Sequence, residues 1–182
     1  MALDGKQRGV LRGMLAALAL TLIVFALVVA FPPAVLIPLA ATAERIAAAL
    51  RWDILVLACL VLAIGSLARH RFFTPADIDG SGLTQASGTA RTLQAILQNT
   101  LEQAVIAIAA HLLWAATMPA SWQAVVPVAA ILFVIGRIAF AAGYGGGAPA
   151  RAFGFALTFY PTVVMIVACA VALVRQGIAA VG

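Results

Sequence analysis

Residues 91–103 read Arg91-Thr-Leu-Gln94-Ala-Ile-Leu-Gln98-Asn99-Thr-Leu-Glu102-Gln103, and an uncharged, mostly apolar stretch carries on through His111 to Thr117. At about 100° per residue, Arg91, Gln94, Gln98 and Glu102 fall within about 80° of one another on a helix, with Asn99 about 60° beyond Glu102. Leu93, Leu97 and Leu101 largely face elsewhere. The stretch is therefore a helix with a single polar stripe, and at 27 residues it is longer than the roughly 20 that cross a bilayer. Lipid offers no hydrogen bonds, so such a stripe must face protein or a wet cavity.

The rest of the chain agrees with a membrane setting. Of 182 residues, 65% are hydrophobic and 9% charged, against about 45–50% and about 25% in soluble domains. These proportions exclude disorder and are too apolar for a water-soluble globule. Two cysteines, Cys59 and Cys169, lie inside apolar runs and read as small buried hydrophobes rather than a disulfide framework. A net charge of +5 suggests nucleic acid, but eleven Lys and Arg without a basic run make that a poor reading, and no nucleic-acid partner is expected.

Four further stretches complete five expected spans: Met14–Phe31, stopped by Pro32 and Pro33; Trp52–Ala68, with Asp53 at its entrance; Trp122–Tyr144, containing Arg137; and Phe153–Val174. None alternates as a barrel strand does, so the expectation is an all-α integral membrane bundle. With the N-terminus inside, the inner segments hold Lys6, Arg8, Arg12, Arg69, Arg71, Arg91, Arg137 and Arg151, eight of eleven cations. Only Arg45, Arg51 and Arg175 fall outside. The positive-inside rule thus orients the N-terminus inward and the C-terminus outward. A cleavable signal ending near Ala41-Thr42-Ala43 is the rival reading of the first segment. Its apolar core of 18 residues exceeds the usual ~7–15, which favours an uncleaved helix. Residues 34–51, with Leu36, Ile37, Ile46 and Leu50 among small residues, suit a short interfacial helix.

The stripe admits two readings: glue between helices, or a ligand site. His111 lies about 180° from Glu102 and reads as a packing residue, and no second His or Cys completes a metal site. Arg137 and Tyr144, seven residues apart, share a helix face. After Gly145-Gly146-Gly147, Pro149 suits the first turn of the last helix, which sets Arg151 near free backbone N–H groups, a favourable place for a carboxylate or thiolate. Simple anchoring of the helix end is the alternative for Arg151. The glycines lack the Gly-Lys-Ser/Thr of a phosphate loop. Asp77-Ile-Asp79-Gly-Ser81-Gly82 matches half a calcium loop, but its twelfth position is Gly88, so a polar turn capped by Asp side chains is expected.

Three segments together resemble the MAPEG family, the membrane-associated proteins of eicosanoid and glutathione metabolism: Ala68-Arg69-His-Arg71-Phe, Gln98-Asn99-Thr-Leu-Glu102, and Arg137-x-x-Phe140-x-x-Gly143-Tyr144 followed by Arg151. The likeness covers about residues 52–175. It implies a MAPEG-like four-helix bundle over 52–182, with residues 1–51 an additional N-terminal transmembrane helix and interfacial segment. It also implies a homotrimer that binds glutathione between subunits near the cytosolic face of a bacterial-type inner membrane. Carried over, Arg69, Asn99, Glu102, Arg137 and Tyr144 hold the tripeptide, Glu102 accepting its amino group and the arginines pairing with its carboxylates. Arg151 matches the arginine that stabilises the thiolate, which then attacks a lipophilic electrophile or reduces a hydroperoxide. Two positions depart from the pattern: Ala95 stands where the family usually has Arg, and Phe140 where it commonly has Tyr. These departures favour the rival reading, a structural or lipid-binding member without glutathione. A transporter is a third and weaker reading, since no inverted repeat is evident.

Overall fold

The computed structural model describes residues 3–33, 40–80 and 82–179. Its α-helices are α1 (Gly5–Ala30), α2 (Thr42–Trp52), α3 (Ile54–Phe73), α4 (Gly88–Thr117), α5 (Val125–Gly143) and α6 (Ala148–Ala179), and the described residues contain no strand. Five segments are long and apolar enough to cross a membrane: Gly5–Ala30, Thr42–Phe73, Gly88–Thr117, Ala120–Gly146 and Ala148–Ile178. The protein is an all-α integral membrane protein with the five expected spans.

Helix ends shift from the sequence expectation for local reasons. The first helix starts at Gly5 rather than Met14 because Asp4 and Gln7 form a capping box. Asp4 accepts the Gln7 N–H at 2.7 Å, and Gln7 accepts the Asp4 N–H at 2.9 Å. Lys6, Arg8 and Arg12 therefore ride on its first turns. Prolines 32 and 33 stop it, and the Phe31 N–H closes the last turn on Leu27 at 2.8 Å. The short helix expected over 34–51 is α2, whose Ile46 is half-buried; Leu36 and Ile37 lie outside the described residues. Only Asp53, itself near helical geometry, separates α2 from α3.

The bundle closes around α5. This helix buries side chains along its length from Val125 to Phe140, whereas α3 buries Val56 and Leu67, so α5 is central and α3 peripheral. Without water to drive association, membrane helices bind by close packing at small residues. A Cβ on Gly154 of α6 would overlap the Phe140 backbone nitrogen of α5, and one on Gly136 would lie 2.7 Å from Thr158 Cγ2. Gly9-x-x-x-Gly13 docks α1 on α6 in the same way. A Cβ there would lie 2.8 Å from Pro149 Cβ or 2.9 Å from the Phe153 nitrogen. Pro161 interrupts the hydrogen bonding of α6. Nearby hydroxyls turn to the backbone, Thr158 bonding Phe155 O at 2.8 Å and Thr162 bonding Thr158 O at 3.2 Å.

Two carboxylates tie the elements together. Asp53 shares a 2.5 Å hydrogen bond with His111 Nδ1, both side chains being buried, so His111 packs as expected and fastens α4 to the α2–α3 junction. Between α3 and α4, Asp77 Oδ2 accepts the Ser87 hydroxyl at 2.6 Å and His70 Nε2 at 2.9 Å, while Oδ1 accepts the Ser87 N–H at 2.8 Å. Ser87 in turn caps α4 through Ala90 at 3.1 Å. The turn that begins at Asp77 is thus a polar one; its Ser81 lies outside the described residues. Hydrogen bonds from the Ser87 hydroxyl, then its N–H, then His70 hold the Asp77 pKa down to about 2.

Gly154→Val is expected to lower stability by about 1–3 kcal/mol, read as a fall in the thermal midpoint. Gly65→Ala, on α3 with open space around it, should leave the midpoint unchanged or raise it slightly. Asp77 has a folded pKa below its unfolded value of about 3.9, so its stabilisation is full above about pH 4 and fades toward pH 2. Amide exchange at Ser87 and Ala90 should accelerate over that window. In Asp77→Asn it should be fast already at neutral pH.

Candidate functional site

Helices α1, α4 and α6 begin, and α3 and α5 end, at one end of the bundle, and most of the candidate residues gather there. The α5–α6 connection is a single 3-10 turn, Tyr144–Gly146, followed by Gly147 at φ 81°, a left-handed conformation that turns the chain directly into α6. Pro149 sits in the first turn of α6 as expected, and Arg151 follows half a turn later, its N–H bonding Gly147 O at 3.3 Å. Its guanidinium lies over the Tyr144 ring at 4.4 Å, a cation–π contact that fixes the charge near the helix N-terminus.

Arg151, Tyr144 and Asn99 line one cavity of about 380 Å³. Its other walls are apolar: Phe140 from α5, Phe155 from α6, and Val10 and Met14 from α1. Ala95 also opens onto it. Both positions that depart from the family pattern, Ala95 and Phe140, therefore face the same space and make it less polar. A second cavity of about 320 Å³ shares Ala95 and is lined by Arg71, Arg91, Gln94 and Gln98, with Arg71 Nη2 bonding Gln94 Oε1 at 3.3 Å. Arg91, Gln94 and Gln98 of the polar stripe thus face a cationic recess beside the apolar one.

Arg137 takes a different place. It is buried, donates from Nη1 to Asn99 Oδ1 at 2.9 Å, and lies over the Phe140 ring at 4.2 Å. It lines a third cavity of about 220 Å³, with Cys59 and Thr100, rather than the one holding Arg151. The face that spacing assigns to Arg137 and Tyr144 is realised only through Phe140, whose ring meets Tyr144 edge-on at 5.5 Å. Arg137 therefore orients Asn99, and its Nε and Nη2 have no hydrogen-bond partner among the described residues.

Glu102 and Arg69 stay outside these cavities. Glu102 is exposed on the flank of α4 and accepts from Gln98 Nε2 at 2.9 Å. Arg69 is exposed, 5.9 Å above the Phe73 ring. Four wall residues, Val10, Met14, Phe155 and Arg71, escape the sequence reading of the site. For the first two the available signal is Gly9-x-x-x-Gly13, which marks α1 as a packed helix rather than a loose anchor.

The four-span core carries Asn99, Arg137, Tyr144 and Arg151 toward one end. The model of the MAPEG family matches residues 46–171, and the chain belongs to that family. Helix α1 lies outside the matched residues. No curated protein and no solved structure matches the chain.

Asn99→Leu should deprive the buried Arg137 of the acceptor it has among the described residues and cost about 1–3 kcal/mol of stability. Asn99→Asp keeps an acceptor and should cost less. Thermal unfolding of the two variants beside the parent protein tests the pairing.

Proposed function

We propose that this protein is a glutathione- or thiol-dependent transferase or peroxidase acting on lipophilic electrophiles from within the membrane. One observation carries the reading. A single cavity joins Asn99, Tyr144 and Arg151 on one side to Val10, Met14, Phe140 and Phe155 on the other. A polar thiol carrier and an apolar acceptor need such a two-sided space, and family membership supplies the chemistry to expect in it.

The residues present fit glutathione. Arg71 and Arg91 in the adjoining recess can pair with its carboxylates, taking the place of the arginine missing at Ala95. Asn99, held by Arg137, offers amide contacts. When bound, glutathione would supply a thiolate nucleophile, able to displace a leaving group from an electrophilic carbon or to break a peroxide O–O bond with release of the alcohol. The Arg151 charge lowers the pKa of a thiol beside it and so raises the nucleophilic fraction at neutral pH. Phe140, Phe155, Val10 and Met14 exclude water and receive the apolar body of the acceptor.

Assembly completes the proposal. Glu102 lies near the middle of α4, a helix of 30 residues, yet is exposed in the single chain. A charge facing hydrocarbon at that depth costs about 2.5–3.5 kcal/mol even on a lenient scale. A neighbouring subunit of a homotrimer would cover it and bring Glu102 and Arg69 to the peptide from across the interface. The cation distribution supports an inward-facing site with the N-terminus inside and the C-terminus outside, and the family likeness suggests a bacterial inner membrane. The second reading, a lipid-binding member without glutathione, is favoured by Ala95 and Phe140, which leave the cavity less able to hold an anion.

Calorimetric titration of the detergent-purified protein with glutathione separates the two. Saturable binding, weakened in Glu102→Ala, supports the enzyme; no binding at millimolar thiol supports the lipid-binding reading. In turnover, Arg151→Ala should lower kcat/KM by about 10²-fold or more with the oligomer intact. It should also shift the rise of rate with pH upward by about one unit, with Arg151→Lys partly restoring both. Unchanged turnover in both Glu102→Ala and Arg151→Ala would sink the assignment.

A further inference from the structure

At the end of the bundle opposite Arg151, a cleft of about 730 Å³ opens between α2, the α4–α5 connection and the last turns of α6. Two of the three cations that run against the positive-inside pattern, Arg45 and Arg175, line it. Arg45 is fixed in place: Nη1 donates to Met118 O at 3.0 Å and Nη2 to Thr42 Oγ1 at 2.7 Å. Its Nε is buried without a hydrogen-bond partner among the described residues. Arg175 is exposed and lines the same cleft beside Gln176. Among the described residues neither arginine forms an ion pair; the pairs present are His70–Asp77 and His111–Asp53.

The walls grade from polar to apolar along the membrane normal. From Arg175, the cleft-facing side of α6 descends through Ala172 and Val171 to Ala168, about 10 Å nearer the bilayer centre. Trp122, at the cleft rim, is of the residue type that settles at the headgroup level. Two guanidinium groups at that level, above a groove of small apolar side chains, match a phosphodiester with an acyl chain beneath it. A zwitterionic headgroup would bring its own ammonium between two arginines, so the pair selects net negative charge.

We propose that this cleft binds one anionic glycerophospholipid per chain, in the leaflet opposite the candidate active site. Its phosphate is held between Arg45 and Arg175, and one acyl chain lies along α6. The site is separate from the thiol chemistry and stands whether or not that reading holds. It gives the two unmatched cations a partner that the membrane itself supplies.

The test uses the intact, delipidated protein in detergent, followed by native mass spectrometry and thermal unfolding. Phosphatidylglycerol, phosphatidylcholine and inorganic phosphate are the probes. One saturable phosphatidylglycerol per chain, a raised unfolding midpoint, and binding about fivefold weaker for each arginine removed are expected. Phosphatidylcholine should bind no better to the parent protein than to Arg45→Ala/Arg175→Ala. Because Arg45 also supports the fold, Arg175→Glu alone serves as a second variant. It should discriminate against phosphatidylglycerol while unfolding at the same temperature as the lipid-free parent, and Arg175→Lys should retain binding. Equal binding of the two lipids, or binding unchanged in Arg175→Glu, overturns the proposal. So does an equal shift with inorganic phosphate, which indicates a free-anion site, or a change of oligomeric state in the variants, which indicates that a second copy fills the cleft.

Discussion

Within the hydrocarbon of a bilayer a polar group must find its partner in protein or in a wet cavity, and this constraint orders much of the structure. Asp53 is answered by His111 from another helix, and Arg137 by Asn99 and the face of Phe140. Threonine hydroxyls turn back onto helix carbonyls around Pro161. Each pairing joins or steadies helices that have no hydrophobic drive toward each other, since lipid is as apolar as they are. The remaining attraction is contact between backbones brought close at Gly136 and Gly154. Polar pairs set which helices meet, and small residues set how closely.

Much of the fold is legible in the sequence because membrane spans announce themselves by composition. Apolar length located all five, and the prolines at 32 and 33 located one end. What the sequence reading misses is what capping and long-range partners decide. Asp4 and Gln7 extend α1 by nine residues past the apolar run, a local signal that hydropathy does not register. Asp53 and His111 are 58 residues apart, and no periodicity relates them, so their pairing is a property of the packed bundle.

The site divides in the same manner. Helical spacing grouped Arg91, Gln94 and Gln98 correctly, because residues on one helix keep their angular relation. Arg137 and Tyr144 meet the same Phe140 ring, as a shared face requires, yet they line different cavities, which spacing alone does not resolve. Family likeness marked Glu102 and Arg69 as binding residues, yet the single chain leaves both on its surface. In the proposed homotrimer their role would rest on contacts between chains, which neither spacing nor one subunit's geometry can supply. The apolar wall from α1 went unread for another reason: α1 lies outside the family pattern, and its Gly9-x-x-x-Gly13 signal marks close packing rather than a site.

The docking of α1 also bears on how the protein is made. Gly9 and Pro149 approach closely across 140 residues of chain, so α1 packs against a helix made long after it. During insertion α1 must remain in the membrane, its Gly-x-x-x-Gly face unoccupied, while four further spans are made. That contact carries a large closure cost and belongs late in assembly. The cavity holding Arg151 therefore gains its Val10 and Met14 wall only after α6 has entered the bilayer, and a chain stalled before then carries an open groove in place of a site.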